Sequence, residues 1–287
     1  MMVITMSLQI FLRLVNRMDG RKIPRITHQI WLQGWNALPP KFKGNVESLR
    51  TLNPGYTHMV WDEASLRDEC RKLFPAVLAK FESLPYLVQK VDFGRLIVLY
   101  AYGGISVDTD MKSLKPIDTT PKIDTAELII SLSAFPGNMI GQTNNAIVLA
   151  KPHHPLLLEL ITRMTTVTAK ESDFLTKELY LNGTTGPSLQ NTFFYEHKGE
   201  IVFLDHRYYE PCFSVDPVCT PSKESIMDHK HEMSWISPWA KVLLKILIGL
   251  VYIALGVVPL MLIYWGYVRF AGKSFRSILS LRSWRGT

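Results

Sequence analysis

A chain of 287 residues can hold one large domain with a real core or two small ones. Its net charge of +7 sits entirely in the tail: Lys241, Lys245, Arg269, Lys273, Arg276, Arg282 and Arg285 face no acid there, while everything before them is formally neutral. The basic balance therefore reports on the tail and argues against a nucleic-acid surface, which would spread positive charge over a folded face. The three cysteines are too few for a disulfide scaffold and fit no zinc spacing. Cys212 and Cys219 can pair across a Pro-bounded loop in an oxidising lumen or remain free thiols.

Residues 1–21 are apolar but short, broken by Ser7, Gln9 and Arg13, and fit an amphipathic helix or a weak signal anchor. Residues 23–35 predict a first strand with His28, Gln29 and Trp31 near its carboxyl end. Pro39-Pro40 open a helix to about Leu52, Asn53-Pro54-Gly55 turns, and Tyr56–Trp61 is a second strand running into Asp62. Helices follow at about 63–73, 75–82 and 86–101, then a short strand ending in Asp108-Thr109-Asp110. Strands at 127–133 and 144–150, a helix over 155–168, a helix opened by Thr185-Gly186-Pro187, a strand at 201–204 and a loop-rich stretch to 228 complete the core. This alternation indicates an α/β domain over 22–240 with a largely parallel sheet, whose strand ends collect ligands.

The uncharged run Ile246–Val268 would be about 34 Å long as a helix, enough for a ~30 Å hydrocarbon core. Trp239, Tyr264, Trp265 and Tyr267 suit interfacial positions, so 241–268 is expected to span a membrane once, ahead of a basic tail at 269–287. The positive tail favours a cytosolic C-terminus and a lumenal domain in a Golgi- or ER-type membrane. A tail-anchored protein with a cytosolic domain is the competing topology.

The chemistry centres on residues 86–111. Asp92 and Arg95 are three apart and share a helix face, either as a surface ion pair or as a grip on sugar hydroxyls. Gly103-Gly104 permits a sharp turn and a ligand's approach to the backbone. Asp108 and Asp110 offer hard oxygens for Mn²⁺ or Mg²⁺, which would neutralise a diphosphate leaving group. Taken alone, Asp-X-Asp is more often a solvated strand end.

The stretch Ile23–Trp31, the Asp92/Arg95 helix, Tyr102–Asp110, Thr185-Gly186-Pro187 and His231/Ser234-Trp235 occur together and in order. The chain resembles, over roughly 22–236, the Asp-X-Asp sugar-binding glycosyltransferases, a family that includes fungal initiating α-1,6-mannosyltransferases and mannosyl-inositol-phosphorylceramide synthases. That resemblance implies a GT-A fold with a Rossmann-like mixed sheet, a nucleotide-sugar donor, a divalent metal (typically Mn²⁺) and retention of configuration. It implies that Trp31 stacks on the base, with His28 and Gln29 shaping that strand end. Asp92 and Arg95 would hold the donor sugar, Asp108 the ribose or sugar and metal-bound water, and Asp110 the metal. His231 would be a last metal ligand, with His229 able to replace it, and Ser234-Trp235 would meet the phosphates. Asn145 and the Thr185 turn would line the sugar or acceptor side. Ser106 departs from the family, which has an aromatic residue there.

The expected function is a membrane-anchored hexosyl transfer, by preference mannose from GDP-mannose to an acceptor such as inositol-phosphoceramide, with a UDP-sugar and a glycan or protein acceptor as the alternative. No enzyme nucleophile is evident, which favours front-face attack by the acceptor. A haloacid-dehalogenase-type phosphatase also ends a strand in Asp-X-Asp, but Lys112 stands where that loop carries Thr or Val. A non-catalytic sugar-binding membrane protein is the remaining alternative. The Asn182-Gly183-Thr184 sequon abuts the Thr185 turn and is expected to be unused.

Overall fold

The computed structural model describes residues 20–73, 75–134, 137–213, 219–232 and 236–282. The expected N-terminal segment up to residue 19, and Ser234-Trp235, lie outside the described residues. The chain divides into two units, Met1–Trp235 and Ile236–Thr287.

In the first unit, β1 (Ile26–Ile30) runs parallel to β2 (Thr57–Trp61) and to β3 (Gly104–Val107). Beyond β3 the sheet changes sense. β6 (Thr143–Ala150) lies antiparallel to both β3 and β5 (Leu128–Leu132), and β5 pairs parallel with β7 (Val202–Leu204). The strand order β2-β1-β3-β6-β5-β7 is thus mixed, which corrects the largely parallel expectation. The reversal matters for the site: because Val107 pairs with Ile147, the amino end of β6 meets the carboxyl end of β3. The Asp108 amide donates to the Ala146 carbonyl at 2.9 Å, and Asn145 arrives beside the Asp-X-Asp loop.

One face of the sheet is covered by α2 (Glu63–Leu73), α3 (Pro75–Ser83), α4 (Leu87–Tyr102) and α5 (Pro155–Thr166). The central helix α4 is buried almost throughout, including Phe93, Leu96, Ile97, Val98 and Leu99 at no exposure. Burial on that scale is the main source of its stability, at about 25 cal/mol per Å² of apolar surface. Gly94 lets α4 approach α2 closely, since a Cβ there would stand 2.7 Å from Leu66 Cδ1. On α5, Leu156, Leu160 and Met164 are buried as their spacing predicts.

Gly103 and Gly104 both have positive φ, 65° and 99°. What approaches their backbone is protein rather than ligand: a Cβ on Gly104 would sit 2.4 Å from the Ile26 carbonyl oxygen, and one on Gly103 2.5 Å from the Pro152 nitrogen. The pair lets β3 drop beside β1 immediately after α4 ends.

Three features of the fold went unread in the sequence. Helix α1 (Pro40–Leu52) was expected, but not its role as a brace: Asn45 Nδ2 donates to the Thr109 carbonyl (3.2 Å) and the Ser113 amide donates to Ser48 Oγ (2.9 Å). Helix α6 (Lys177–Thr184) precedes α7 (Pro187–Glu196) and encloses the sequon, whose Thr184 is buried and accepts from Gln89 Nε2 at 2.9 Å. A two-stranded antiparallel sheet joins β4 (Met111–Ser113) to β8 (Met227–His229), pairing Met111 with His229. That pairing carries the late histidines to the Asp-X-Asp loop.

The second unit is α8 (Pro238–Arg282), with Pro259 inside it. Its segment Pro238–Arg269 is long and apolar enough to cross a membrane.

Candidate active site

The site is built at the carboxyl ends of β1, β2 and β3 and falls into two poles. At the first, α4 presents Asp92 and Arg95, 5% and 2% exposed, into the loop after β3. Arg95 Nη2 donates to Asp108 Oδ1 at 2.6 Å and lies 3.9 Å from Asp92 Oδ1. Asn145 Nδ2 donates to Asp92 Oδ1 at 3.0 Å, and the Thr185 hydroxyl is 3.5 Å from Oδ2. Thr185 is fixed from behind, because Gln190 Nε2 donates to its carbonyl at 2.8 Å. Asp92, Arg95, Asp108, Asn145 and Thr185, scattered over 94 positions of sequence, are therefore one constellation.

Its electrostatics suit a polar ligand. Burial pushes the Asp92 carboxyl up to about 7, with Arg95 opposing the shift and the Asp108 charge adding to it. Burial also raises Asp108, again against Arg95, and Asp110 adds like charge. Within the guanidinium, Nε and Nη1 of Arg95 are buried without a hydrogen-bond partner. A buried cation with idle donors is costly unless something accepts from them.

At the second pole the structure gathers Asp110, Glu210, His229 and His231. Asp110 Oδ2 accepts from the Glu232 amide at 3.0 Å and lies 3.4 Å from His229 Nε2. The other nitrogen of His229, Nδ1, is 3.6 Å from Glu210 Oε1, and His231 Nε2 is 3.1 Å from the same oxygen. The two imidazoles stack with centroids 4.0 Å apart. Burial works against ionisation of Asp110, but the His229 hydrogen bond and charge, the Glu232 amide and the His231 charge hold it at about 2. Burial would discharge His229 as well; its contact with Asp110 and the negative charges of Asp110 and Glu210 instead raise it to about 10. His231 is pushed down to about 4 by burial and by the charge of His229.

This pole fits a divalent cation on the chemistry of its donors. Glu210, His229 and His231 offer ligand atoms that all lie within 4.8 Å of one another, and Glu210 Oε2 and His229 Nδ1 are buried without hydrogen-bond partners. His231 also adopts φ 47°, a left-handed conformation rare outside glycine and enriched where function demands it. Glu210 was missed from sequence. It sits in the loop-rich stretch with no neighbouring motif, and only the fold places it here.

The residues of the first strand behave differently from one another. His28 is fully buried with both ring nitrogens engaged by protein: Nε2 lies 2.7 Å from the Gly103 carbonyl and Nδ1 accepts from Trp61 Nε1 at 3.1 Å. Burial lowers it to about 4, so it is a neutral pillar under the glycine turn. Gln29 is buried with Nε2 unpartnered. Trp31 packs on Phe42, centroids 5.5 Å apart, in a small cluster with Leu38, Val46 and Trp35. An open groove lined by Gln33, Gly34, Asp62, Glu63 and Arg67 lies where β1 and β2 end.

Residues 39–127 match the glycosyltransferase sugar-binding region containing the DXD motif. The chain is related to the DXD glycosyltransferases. It is 31% identical over 142 residues to inositol phosphoceramide mannosyltransferase 3 of Schizosaccharomyces pombe, a match that covers 50% of this chain and 37% of that protein. An uncharacterized glycosyltransferase of Acanthamoeba polyphaga mimivirus is 25% identical over 205 residues, covering 66% of this chain and 74% of its own. The chain thus spans well under half of the fungal relative and most of the viral one. Among solved structures, the PaToxG glycosyltransferase aligns at 16% identity with a TM-score of 0.46, covering 64% of this chain and 76% of that one. In this DXD glycosyltransferase relative the motif's two acids are divided between the poles: Asp108 belongs to Arg95 and Asp110 to the histidines.

Proposed function

We propose that the chain transfers a hexose, by preference mannose from GDP-mannose, to a membrane-borne acceptor of the inositol-phosphoceramide kind, with retention of configuration and dependence on a divalent cation. The observation that carries this reading is the buried Arg95 held between Asp92 and Asp108, with two idle guanidinium donors. Such a group suits hydroxyl and phosphate oxygens of a bound sugar nucleotide. Asp92, steadied by Asn145 and Thr185, would hold the sugar's hydroxyls; Trp31 and the neighbouring groove would take the base. Asp110, with the Glu210–His229–His231 cluster beside it, would hold the cation, and the imidazoles suit Mn²⁺. Bound there, a cation supplies charge neutralisation of the diphosphate leaving group. The mannosyl preference rests on the relatives, several of which are mannosyltransferases by name.

The apolar helix α8 would place the enzyme at the surface where a lipid acceptor resides. The Cys212–Cys219 disulfide suits an oxidising lumen and so supports the topology with a lumenal domain and a cytosolic tail. A donor screen in Mn²⁺ against inositol-phosphoceramide tests the proposal. Turnover with GDP-mannose, lost in Asp110→Ala while the circular dichroism is kept, is expected. Turnover with a UDP-sugar but not GDP-mannose overturns the mannosyl reading, and hydrolysis of simple phosphate monoesters alone overturns glycosyl transfer.

A further inference from the structure

The two ends of the six-stranded sheet differ in what they show to solvent. Around the amino ends of β1 and β5, Arg21, Lys22 and Arg25 pair with Asp118, Asp124 and Glu127, a charged network that suits water. The carboxyl ends of β1, β3 and β5, where the site lies, are different. Among the described residues of the first unit, the most exposed large apolar side chains are Leu175 (94%), Ile140 (81%) and Met139 (63%), followed by Leu179 and Leu87. Single exposed apolar side chains are ordinary. Five on the segments that rise from one end of one sheet are not.

The topology sets all five beyond that end. Met139 and Ile140 sit in the loop from β5 to β6, which opens where Leu132 pairs with Thr143, just before Asn145 enters the site. Helix α4 begins at Leu87, five residues before Asp92, so Leu87 stands about 7 Å farther out at 1.5 Å per residue. The segment carrying Leu175 and Leu179 is pinned to the same place. The Lys177 ammonium lies 4.3 Å from the centre of the Tyr86 ring, and the Tyr86 hydroxyl donates to Glu171 at 2.6 Å. Electrostatics add little here: residues 128–150 carry no charged side chain, and Lys170 and Lys177 nearly balance Glu171, Asp173 and Glu178.

The length of the chain limits what this rim can meet. The Glu232 amide donates to Asp110 Oδ2 at 3.0 Å, so the chain is still tied to the site at that residue. The membrane-length helix begins at Pro238. Five residues separate the two, a reach of at most roughly 20 Å when fully extended. We propose that the carboxyl end of the sheet docks on the bilayer that α8 crosses, with Met139, Ile140, Leu175 and Leu179 entering the boundary between headgroups and acyl chains. A bilayer admits separate apolar knobs from two segments, whereas a folded partner must supply a matching pocket for each. Docked in this way, Asp92 and Arg95 face the layer of lipid headgroups, and a headgroup acceptor reacts without leaving the membrane. The inference rests on the reading of α8 as a membrane span and does not depend on which sugar is transferred.

The test uses the full chain in phosphatidylcholine vesicles, with an environment-sensitive fluorophore on one introduced thiol at a time. The native cysteines do not compete, since Cys70 is buried and Cys212 and Cys219 are bonded to each other. The labelled variants are Ile140→Cys and Leu175→Cys on the rim, Lys198→Cys before β7 at the other end of the sheet, and Leu255→Cys on α8. All four positions are exposed, so the label displaces no packing, and thermal melts check that each variant is folded. Lipid carrying a nitroxide high on its acyl chain should quench both rim labels about twofold, as for groups lying about 5–10 Å into the interface. The Leu255→Cys label should be quenched and the Lys198→Cys label should not. Quenching on α8 but not at both rim positions overturns the docking and leaves the span standing. A blue-shifted rim label without quenching means that protein, a second copy or another chain, covers the rim, and it overturns the proposal too. Equal quenching of the Lys198→Cys label removes the preference for one end. No quenching on α8 removes the span and the docking together. None of these readouts needs a sugar to be transferred, so the proposed function stands or falls separately.

Discussion

Arg95 donates to Asp108 at 2.6 Å from a position three residues, and so one helical turn, beyond Asp92, whose own carboxylate is 3.9 Å away. One buried cation thus serves two acids with only one of its nitrogens. Lysine in its place could neutralise one acid but could not present a second and third donor in the same plane. Arg95→Lys is expected to leave the fold intact and to reduce turnover of the nucleotide sugar about 10- to 100-fold, the scale of one or two charge-assisted hydrogen bonds. Steady-state kinetics beside a thermal melt check this; unchanged kinetics would detach Arg95 from the reaction.

The raised Asp92 carboxyl has a consequence for stability. Its folded pKa, about 7, lies above the ordinary 3.8, because burial outweighs the attraction of Arg95. Between those values the native state holds a proton that the unfolded chain has released, so this group's contribution to stability is fully present below about pH 4 and is lost as pH rises toward 7. Denaturant unfolding of wild type and Asp92→Asn over pH 4 to 8 should show wild type losing stability relative to the variant as pH rises. Parallel curves would contradict that assignment.

His28 gives a contrasting expectation, because it looks like a ligand residue in the sequence and acts as a pillar in the fold. Removing its ring orphans both the Gly103 carbonyl and the Trp61 indole N–H inside the core. His28→Ala should cost about 2–4 kcal/mol, combining a cavity with two unsatisfied groups. Calorimetry checks the loss. At a temperature where the variant stays folded, KM for the donor should be nearly unchanged, since neither ring nitrogen is left to face a ligand.

The helices over 40–52, 63–73, 87–102 and 187–196 were legible because apolar periodicity, Pro at helix starts and Gly at the α4 terminus are local signals. The mixed sense of the sheet was not, because parallel and antiparallel strands share one apolar pattern and only the pairing of Val107 with Ile147 reveals the reversal. At the site, Asp92, Arg95, Asp108 and Asn145 were readable as a motif set. Glu210 was invisible, since its relevance depends on the β4–β8 pairing and the buried Tyr209–Thr120 contact, both long-range. The role of His229 depended on that pairing too, for two histidines one residue apart look alike until one of them faces Asp110.

Gly104 offers a sharper structural test than any side chain. Its φ of 99° is hostile to an L side chain, and a Cβ would meet the Ile26 carbonyl oxygen at 2.4 Å. Relief requires β3 to move off β1, taking Asp108 and Asp110 with it. Gly104→Ala is expected to destabilise by about 3 kcal/mol or more. Gly44→Ala on α1, where a Cβ meets nothing within 4 Å, is the control and should be neutral or slightly stabilising by thermal melt.

The Cys212–Cys219 disulfide closes a short loop two residues after Glu210, and the Cys212 carbonyl receives the His231 ring at 3.1 Å. Cross-linking a loop this short restricts the unfolded chain by about 2 kcal/mol. Its larger effect should be local, because the same residue ties Glu210's segment to His231. The double variant Cys212→Ser/Cys219→Ser is therefore expected to lose about 2 kcal/mol of stability and, while still folded, to bind Mn²⁺ more weakly than wild type. Tyr209→Phe removes only the Thr120 hydrogen bond on the other side of Glu210, costing about 1 kcal/mol. If both variants weaken the metal while Asp118→Asn, a comparable lesion in the Arg21–Arg25–Tyr56 cluster, does not, the effect belongs to the segment carrying Glu210. Equal weakening by all three would make it a general consequence of lost stability.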